Sequence, residues 1–426
     1  MFTDFKMLKS MEKKIWILSE LYFPEESATG YYVTHVAEGL AREFSVQVLC
    51  AQPTYLARGI RAAAKEARNG VDIRRCWGTT FNKDILLFRL INLVTTTISI
   101  CFNALMRIRR GDIMFVVTNP PTLPFLAAVV CRLRSATLIL RIEDVYPEAL
   151  SAGGILDKNG TIMRVLGALQ GRLYKAADCI IVLGRDMQEL VTRRIDGIQP
   201  RIVYISNWAD LDEIVPLPRQ DNRIIRELGL TEKFIIQYSG NMGRTHDIEN
   251  IVECAKALHG NRSIHFLFIG WGAKEPWLRM TVDALALSNI TVLPPQPRKD
   301  LVVSLNACDV AIVAFVQGMC GVSVPSRAYN NLAAGKLIIA ATDPASDLAH
   351  LLEEEGLGWA VQPAAPDQLV NAIQDAFNKA SLLPQMSSRA RKIVEERFSK
   401  HRVQAQYAIL FREIMGLQTG DHSNAN

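Results

Sequence analysis

The hydrophobic positions in the first half of the chain form short, largely apolar runs that alternate with stretches of helical spacing. The runs are too short for helices and are rich in β-branched residues, which is typical of buried strands. They lie at 15–18, 46–49, 113–117, 137–140, 179–183 and 201–205. Between them, as at 31–43 and 123–133, apolar residues recur every three or four positions. This alternation predicts a parallel sheet that is covered by helices on both faces.

The alternation stops after residue 205 and resumes after 218, with Pro216 and Pro218 in the interval. Such a break is typical of a domain boundary. We therefore predict two doubly wound α/β domains in tandem. Their predicted bounds are 1–205 for the N-terminal domain, 206–218 for the linker, 219–395 for the C-terminal domain, and 396–426 for a helix and tail that cross back to the first domain.

Composition narrows the class of protein without identifying it. A hydrophobic fraction of 49% and a charged fraction of 21% are typical of a packed globular protein. The net charge of +5 is too small to indicate a nucleic-acid partner. Eight scattered cysteines, with no Cys-x-x-Cys pair, favour free thiols in the cytoplasm over a disulfide framework or a metal site. The first fourteen residues lack the apolar core of a signal peptide, and Met11 is an alternative start.

One stretch, Ile85 to Met106, approaches the length and hydrophobicity of a membrane span. Arg89, Asn92 and Asn103 interrupt it, so we predict that it does not cross a bilayer. Two alternatives remain at this point. The stretch is either a buried helix of the first domain or a helix that lies on a membrane surface, where the basic segment 107–110 would favour it.

Loops that follow the predicted strands are the first candidates for a site, because ligands of parallel α/β sheets bind at the carboxyl ends of strands. In loop 19–30, Thr29 and Gly30 either present amides to a ligand or only start the next helix. After strand 137–140, Glu143 and Asp144 can orient sugar hydroxyls or accept a proton, unless Asp144 only caps a turn.

Two further candidate loops lie in the second domain. Loop 239–247 has glycines that let the backbone approach a ligand, and its arginine carries a forked donor suited to phosphate. Its candidate contacts are Gly240, Asn241, Gly243, Arg244 and His246. A local hydrogen bond at a helix start would equally explain His246. In the loop after strand 265–269, Gly270 and Gly272 are candidates, with a tight turn as the alternative.

The segment 324–340 predicts a turn, a short helix and a buried strand, with Gly335 as the helix stop. Ser326 and Arg327 stand at the helix start, where anions are favoured. Alone, the segment is equally well explained as an ordinary helix-to-strand unit. Together with Arg244, it predicts a nucleoside diphosphate in the second domain, with the carboxylates of the first domain facing it. That is the layout of a transferase acting between two substrates.

Seven segments carry a resemblance to a known family. They are YFPEESATG (22–30), RIEDVYPE (141–148), KAADCIIVLGRDMQEL (175–190), ISNWAD (205–210), YSGNMGR (238–244), FLFIGWGA (266–273) and VPSRAYNNLAAGKLIIA (324–340). With these, the chain resembles the GT-B glycosyltransferases of family 4, in particular bacterial O-antigen, capsule and colanic-acid transferases of the fucosaminyltransferase type. The resemblance implies the GT-B fold, two Rossmann-like domains facing across a cleft.

The resemblance also implies the reaction. It is a retaining transfer of a hexose or of an amino or deoxy sugar from a nucleoside-diphosphate sugar, with UDP as the expected nucleotide. Arg244, Ser326 and Arg327 would stabilise the departing diphosphate, and Asp144 would contact the donor sugar. The implied acceptor is a lipid-linked saccharide, so we expect a cytoplasmic protein peripheral to the inner face of the membrane. Neither a metal nor an organic cofactor is expected.

The chain departs from the family pattern at the nucleotide site. The family's Glu-x7-Glu pair corresponds here to Val322 and Asn330, so Asn330 stands where a Glu would hold the ribose. The usual Arg and Lys of the first phosphate loop correspond to Asn241 and His246, with Arg244 as a replacement. Two other functions fit the same fold, namely a UDP-sugar 2-epimerase-like enzyme and a catalytically impaired protein that only binds a nucleotide sugar.

Overall fold

The structure is a computed structural model that describes residues 13–53, 59–81 and 86–417. Among these residues, eight strands form the first sheet, in the order β3-β4-β2-β1-β5-β6-β7-β8. Their bounds are β1 Ile15–Leu18, β2 Val46–Cys50, β3 Lys65–Arg68, β4 Val71–Arg75, β5 Ile113–Val117, β6 Thr137–Arg141, β7 Cys179–Val182 and β8 Arg201–Tyr204. Neighbouring strands pair in parallel except β3 and β4, which are antiparallel. The predictions for residues 1–11 and for Ile85 lie outside the described residues.

Helices cover both faces of this sheet, as the fully apolar strands require. In chain order they are α1 Ala28–Leu40, α2 Leu86–Arg107, α3 Leu123–Arg134, α4 Glu148–Ala152, α5 Thr161–Lys175 and α6 Arg185–Arg193. Side chains of α2, α3, α5 and α6 join one buried cluster on one face. Side chains of α1 join a second cluster on the opposite face.

The second sheet has six strands among the described residues, in the order β11-β10-β9-β12-β13-β14, and they are parallel throughout. The strands are β9 Phe234–Asn241, β10 Ile264–Trp271, β11 Ile290–Leu293, β12 Val310–Ala314, β13 Leu337–Ala341 and β14 Gly358–Val361. Its helices are α7 Arg223–Glu227, α8 Ile248–Ala257, α9 Glu275–Ala284, α10 Leu301–Leu305, α11 Arg327–Ala333, α12 Asp347–Glu355, α13 Pro366–Asn378 and α14 Leu383–Arg397. The predicted fold class is confirmed.

Two helices end the described part of the chain. α14 ends at Arg397, and α15 (Lys400–Met415) begins after Ser399. α15 packs on α1 of the first domain, where Gln404 Nε2 donates to the carbonyl oxygen of His35 at 2.6 Å. The prediction that the C-terminal helix crosses back is therefore confirmed.

Two local predictions were wrong. The pattern suggested that strands end at residues 238 and 269, but β9 and β10 continue to Asn241 and Trp271. The β3–β4 hairpin was not predicted, because Lys65–Arg68 is a charged edge strand with no apolar run. All eight cysteines lie in the described part of the chain and are free thiols, as predicted.

The carboxyl ends of the two sheets meet at the interface between the domains. The loop after β6 contacts the loop after β12, since the amide of Val145 donates to the carbonyl oxygen of Val322 at 2.8 Å. An isolated antiparallel bridge joins Asp144 to Ser323. An ion pair between Arg185 and Asp347, with a nitrogen-to-oxygen distance of 2.5 Å, adds a third interdomain contact. The strand-end loops predicted from the sequence are thus brought to one cleft.

Candidate active site

Arg327 lies against the carboxyl end of β9. Its Nη1 atom is 3.4 Å from the carbonyl oxygen of Ser239, and its guanidinium carbon is 4.8 Å from the centre of the Tyr238 ring. Gly240 leaves room for this approach, because a Cβ built there would lie 3.2 Å from Nη1 of Arg327. The two segments predicted to form a phosphate site are therefore in contact.

A second cation, Lys274, lies close to His246. Its Nζ donates to the carbonyl oxygen of His246 at 2.7 Å and pairs with Glu249 at 2.6 Å. Burial, followed by the charges of Arg327 and Lys274, lowers the pKa of His246 to about 2. Arg327 itself has no carboxylate partner among the described residues. An unneutralised guanidinium at a strand end is suited to binding an anion.

His246 is held as a neutral ring. It stacks on Phe315 with ring centroids 5.4 Å apart and an interplanar angle of 28°. Its Nδ1 atom is buried without a hydrogen-bond partner among the described atoms. A buried polar atom normally has a partner, so this nitrogen is available to a ligand or a water molecule.

Ser326 faces the first domain. The hydroxyl of Tyr32 donates to the carbonyl oxygen of Trp208 at 2.9 Å and also shares a hydrogen bond with Ser326. Ser326 therefore also contacts the first domain, and its role towards a phosphate stays a prediction. The helix that follows, Arg327–Ala333, is seven residues long, and Ser326 makes no side-chain cap hydrogen bond. Asn330 lies one turn into this helix and is partly exposed.

Arg244 and Asn241 are exposed side chains at the rim of the site. The Cβ of Arg244 faces Gly153 of the first domain, since a Cβ built on Gly153 would be 3.9 Å from it. Gly243 is wedged between Asn241 and His246, because a Cβ there would be 3.1 Å from the amide nitrogen of Asn241. Arg244 therefore lies close to the first domain with its side chain exposed, whereas Arg327 contacts the end of β9.

In the first domain, Glu143 is paired with Arg141, the last residue of β6. Their side chains approach to 3.0 Å, and Nη2 of Arg141 also donates to Oδ1 of Asn207 at 2.9 Å. Burial raises the pKa of Glu143, and the charge of Arg141 opposes that shift. Oε1 of Glu143, the oxygen that pairs with Nε of Arg141, is buried and makes no hydrogen bond of good geometry among the described atoms.

Asp144 spans the two domains. The hydroxyl of Ser323 donates to its carboxylate, and a backbone bridge joins the same two residues. Burial raises the pKa of Asp144, and the hydrogen bond from Ser323 opposes the shift. This arrangement puts Asp144 at the interface between the domains, and its contact with a donor sugar stays a prediction.

Thr29 and Gly30 begin α1 close to the cleft. The hydroxyl oxygen of Ser27 accepts from the amide of Gly30 at 3.3 Å, which is the capping alternative considered for this loop. A Cβ on Gly30 would overlap the carbonyl oxygen of Glu25, so packing already requires a glycine. Thr29 is partly exposed.

Packing also accounts for Gly270 and Gly272. Gly270 pairs in register with Gly240, and Gly272 packs against the backbone of Met242. Both have positive φ angles. Gly270 thus lies within β10 and not in a turn, and Gly272 directly follows the end of that strand.

Sequence reasoning missed three residues of the site. Lys274 follows directly after the FLFIGWGA segment, and a basic residue at a strand-end loop was a usable signal. Arg141 is a charged residue that ends an apolar strand, which signals a buried pair. Tyr32 sits among the apolar positions of α1, where nothing in the pattern sets it apart. The described residues contain no group of three His, Cys, Asp or Glu side chains that could hold a metal.

Two family models match the chain, one in each half. Residues 27–208 match the model of the glycosyl transferase 4-like domain, and residues 220–393 match the model of the glycosyl transferases group 1. A probable glycosyltransferase, WbjE of Pseudomonas aeruginosa, is 28% identical over 94% of this chain and 98% of its own length. The putative colanic acid biosynthesis glycosyl transferase WcaI of Escherichia coli (strain K12) is 26% identical over 92% and 98%.

Solved structures with the same fold cover almost the whole chain. Sucrose-phosphate synthase from Thermosynechococcus elongatus superposes with a TM-score of 0.76 at 16% identity, over 95% of this chain and 99% of that one. Anabaena Alr3699/HepE in complex with UDP-glucose gives 0.70 at 16% identity, over 94% and 99%. WaaG, a glycosyltransferase involved in lipopolysaccharide biosynthesis, gives 0.67 at 12% identity, over 93% and 99%.

Proposed function

The chain belongs to the GT-B glycosyltransferases of family 4, and from that premise we propose that it moves a hexose or an amino or deoxy sugar from a UDP-sugar to a lipid-linked saccharide, with retention of anomeric configuration. We place this reaction in the synthesis of a surface polysaccharide. The relatives named for colanic acid and lipopolysaccharide biosynthesis support that placement. The Anabaena structure bound to UDP-glucose supports the choice of nucleotide.

The observation that carries the proposal is the position of Arg327. Its guanidinium lies at the carboxyl end of β9, beside Gly240 and without a carboxylate partner among the described residues. A diphosphate leaving group gains negative charge as the sugar bond breaks, so a fixed cation there stabilises the transition state more than the ground state. Lys274, which pairs with Glu249, donates to the carbonyl oxygen of His246.

Across the cleft, Asp144 and Glu143 are the groups that would meet the sugar. Both carboxylates are buried, which raises their pKa values and strengthens any hydrogen bond they accept. We assign Asp144 to the donor sugar and Glu143 to a hydroxyl of either substrate. Ser323, which donates to Asp144 from the second domain, would keep that carboxylate oriented while the cleft is closed.

The acceptor and the location are supported by the first domain's surface. Among the described helices, one is long and apolar enough by length and composition to cross a membrane, Leu87–Arg107. Its inner side is packed in the first domain through Ile100, Cys101 and Ala104, and its outer side is exposed. We propose that the enzyme is cytoplasmic and peripheral to the inner face of the membrane, where a lipid-linked acceptor would be found.

The test is a panel of UDP-, GDP- and dTDP-sugars, scored by thermal shift and by donor hydrolysis. We expect a UDP-sugar to stabilise the protein, and Arg327→Ala to weaken its binding about 10- to 100-fold, because a charge-assisted hydrogen bond is lost. Arg327→Lys should recover part of the loss. Arg226→Ala, which removes an exposed arginine of the second domain, is the matched control.

Arg244→Ala separates the two arginines of the site. Because Arg244 is exposed at the rim, we expect a smaller loss of donor binding than for Arg327→Ala. The reverse order would show that Arg244 holds the diphosphate and would overturn the assignment to Arg327. Donor binding without hydrolysis or transfer to any lipid-linked acceptor would support the catalytically impaired alternative.

A further inference from the structure

Three helices of the first domain expose a continuous apolar surface. They are α2, α3 and α5, which pack side by side over the same face of the first sheet. Their inner sides are buried in one cluster, and their outer sides carry large hydrophobic residues that are 40–66% exposed. These are Leu87, Leu90, Val94, Ile98, Phe102 and Met106 on α2, Leu126, Val129 and Leu133 on α3, and Ile162, Val165 and Leu169 on α5. We call this surface the helical platform.

The exposed hydrophobic residues of the platform follow the helical repeat. On α2 they recur every three or four positions through the whole helix, so they form one stripe opposite the buried stripe. α3 and α5 repeat the pattern on their outer sides. Single exposed hydrophobic residues are ordinary on a protein surface, but a contiguous patch across three helices indicates an interaction site.

The charges of the platform have one sign. α2, α3 and α5 contain no Asp or Glu, and each contains Arg or Lys. These are Arg89, Arg107, Arg132, Arg134, Arg164, Arg172 and Lys175. The whole chain has a net charge of only +5, so the basic residues are concentrated here. The segment between α2 and β5 adds the exposed Arg109 and Arg110.

The uniformly positive charge of the helical platform distinguishes between two possible binding partners, a second copy of this chain and a lipid surface. A second copy of this chain would bring the same surface against itself in a two-fold dimer, and the basic side chains would then face one another. An anionic lipid surface complements both properties, because the apolar side chains enter the acyl boundary while the basic ones meet the headgroups. Charge complementarity therefore favours lipid.

The platform also adjoins the cleft. α2 follows β4 in the chain, so its first turn lies at the carboxyl edge of the sheet, where the strand-end loops are. Arg89 in that turn is near Tyr146 of the loop that carries Asp144. Trp77, at 71% exposure, precedes the same end of the helix, and Trp is typical of membrane interfaces.

We propose that the helical platform lies flat on an anionic membrane, with α2, α3 and α5 all inserted at the level of the headgroups and with the cleft opening at the lipid surface. This inference rests on the proposed lipid-linked acceptor and extends it. It replaces contact through one helix with contact through three. It also predicts that residues of α3 and α5, far in sequence from the apolar stretch, hold the protein on the membrane.

The first test is cosedimentation with vesicles of phosphatidylglycerol and phosphatidylethanolamine. We expect the full chain to pellet with them, and the triple variant Leu126→Gln, Val129→Gln and Leu133→Gln on α3 to bind at least about tenfold more weakly. The matched control makes the same kind of change elsewhere, at the exposed Ile198, Met280 and Leu285. Equal binding by the platform variant and the control would overturn the role of α3.

The second test removes charge. Arg132→Gln, Arg164→Gln and Arg172→Gln together should weaken binding to the anionic vesicles about a hundredfold at low salt, since each cation near such a surface contributes about fivefold. The control removes three exposed arginines outside the platform, Arg42, Arg226 and Arg262. Equal loss in the control, or wild-type binding as strong to phosphatidylcholine as to anionic vesicles, would overturn the charge argument.

Two further readouts keep the tests specific. The thermal shift caused by a UDP-sugar should be unchanged in every platform variant, which separates failure of membrane docking from failure of the donor site. Sedimentation velocity without lipid tests whether a second copy of this chain binds the platform instead. A wild-type dimer that the α3 variant converts to a monomer, with no vesicle binding by either protein, would overturn the proposal in favour of self-association.

Discussion

The imidazole ring of His246 is largely removed from water. It packs against Phe315, and the positive charges of Arg327 and Lys274 both act on it. Burial and these charges lower its pKa to about 2, so the folded protein keeps the imidazole neutral through the ordinary pH range. Such a ring can donate or accept one hydrogen bond at each nitrogen without adding a third cation to a phosphate site.

This environment predicts an acid sensitivity. An unfolded chain protonates the imidazole below about pH 6.5, whereas the folded chain does not until about pH 2. Unfolding therefore takes up a proton in that window, and the free energy of unfolding should fall as the pH drops from about 6.5 towards 2. In His246→Gln, the fall should be shallower. The measurement is urea denaturation of both proteins at a series of pH values.

His265→Gln is the comparison for this prediction. Burial lowers the pKa of His265 to about 4, and its Nε2 lies 2.9 Å from Oγ1 of Thr291. Removing it should flatten the profile only between about pH 6.5 and pH 4. If His246→Gln left the slope below pH 4 unchanged, the charged surroundings assigned to His246 would be wrong.

At the residue scale, it was easier to predict which side chains could bind an anion than to predict which residues contact each other. The pairing of Arg327 with the Gly240 loop followed from two anion-binding patterns in one domain. The bond of Ser326 to Tyr32 did not, because it joins a turn in the second domain to a helix in the first. The sequence around Ser326 and the sequence around Tyr32 contain no pattern that predicts a contact between the two residues.

At the scale of elements, the site depends on how closely β9 and β10 approach. The two strands pair over eight residues, and Gly270 lies directly opposite Gly240. Both glycines have positive φ angles, 150° at Gly270 and 134° at Gly240. A Cβ at Gly270 would overlap the carbonyl oxygen of Gly240. The close approach therefore fixes the backbone on which Arg327 rests.

Gly270→Ala should consequently destabilise the second domain by about 3 kcal/mol or more, because backbone overlap and an unfavourable φ act together. The same change at Gly260, where a Cβ would meet no atom within 4 Å and φ is not in the left-handed region, should cost less than about 1 kcal/mol. Denaturant titration of the two variants measures the difference. Equal stability would show that the strands can separate without cost.

Elements with strong apolar patterns were predictable, and elements without them were not. The buried strands of both sheets were found because each is a short run of apolar residues between turns. The β3–β4 hairpin was missed, although Asn69-Gly70 between its strands is a typical hairpin turn. Its strands are at the sheet edge, where charge replaces hydrophobicity, so only the turn signalled it.

At the scale of the whole molecule, the chain passes from the first domain to the second and returns. α15 follows the second domain in sequence but buries its apolar side against α1 and the first sheet. Phe411 and Tyr407 both pack edge-on against Phe115 of β5, with ring centroids 5.8 and 6.3 Å away. The sequence predicted that a helix after residue 396 crosses back to the first domain, but a helical pattern does not say which residues of that domain it contacts.

The packing of α15 on the first domain predicts which domain this helix stabilises. Phe411 is fully buried in the cluster it shares with β1 and β5, so Phe411→Ala should cost about 3–5 kcal/mol. The loss should appear in the first domain although the residue follows the second in the chain. Hydrogen exchange should therefore speed up in peptides covering β1 and β5 and stay unchanged in those covering β9 and β10. Ile409→Ala, at a residue on the exposed side of the same helix, should change neither set by more than about 0.5 kcal/mol. Faster exchange confined to the second domain would mean that α15 belongs energetically to the domain it follows.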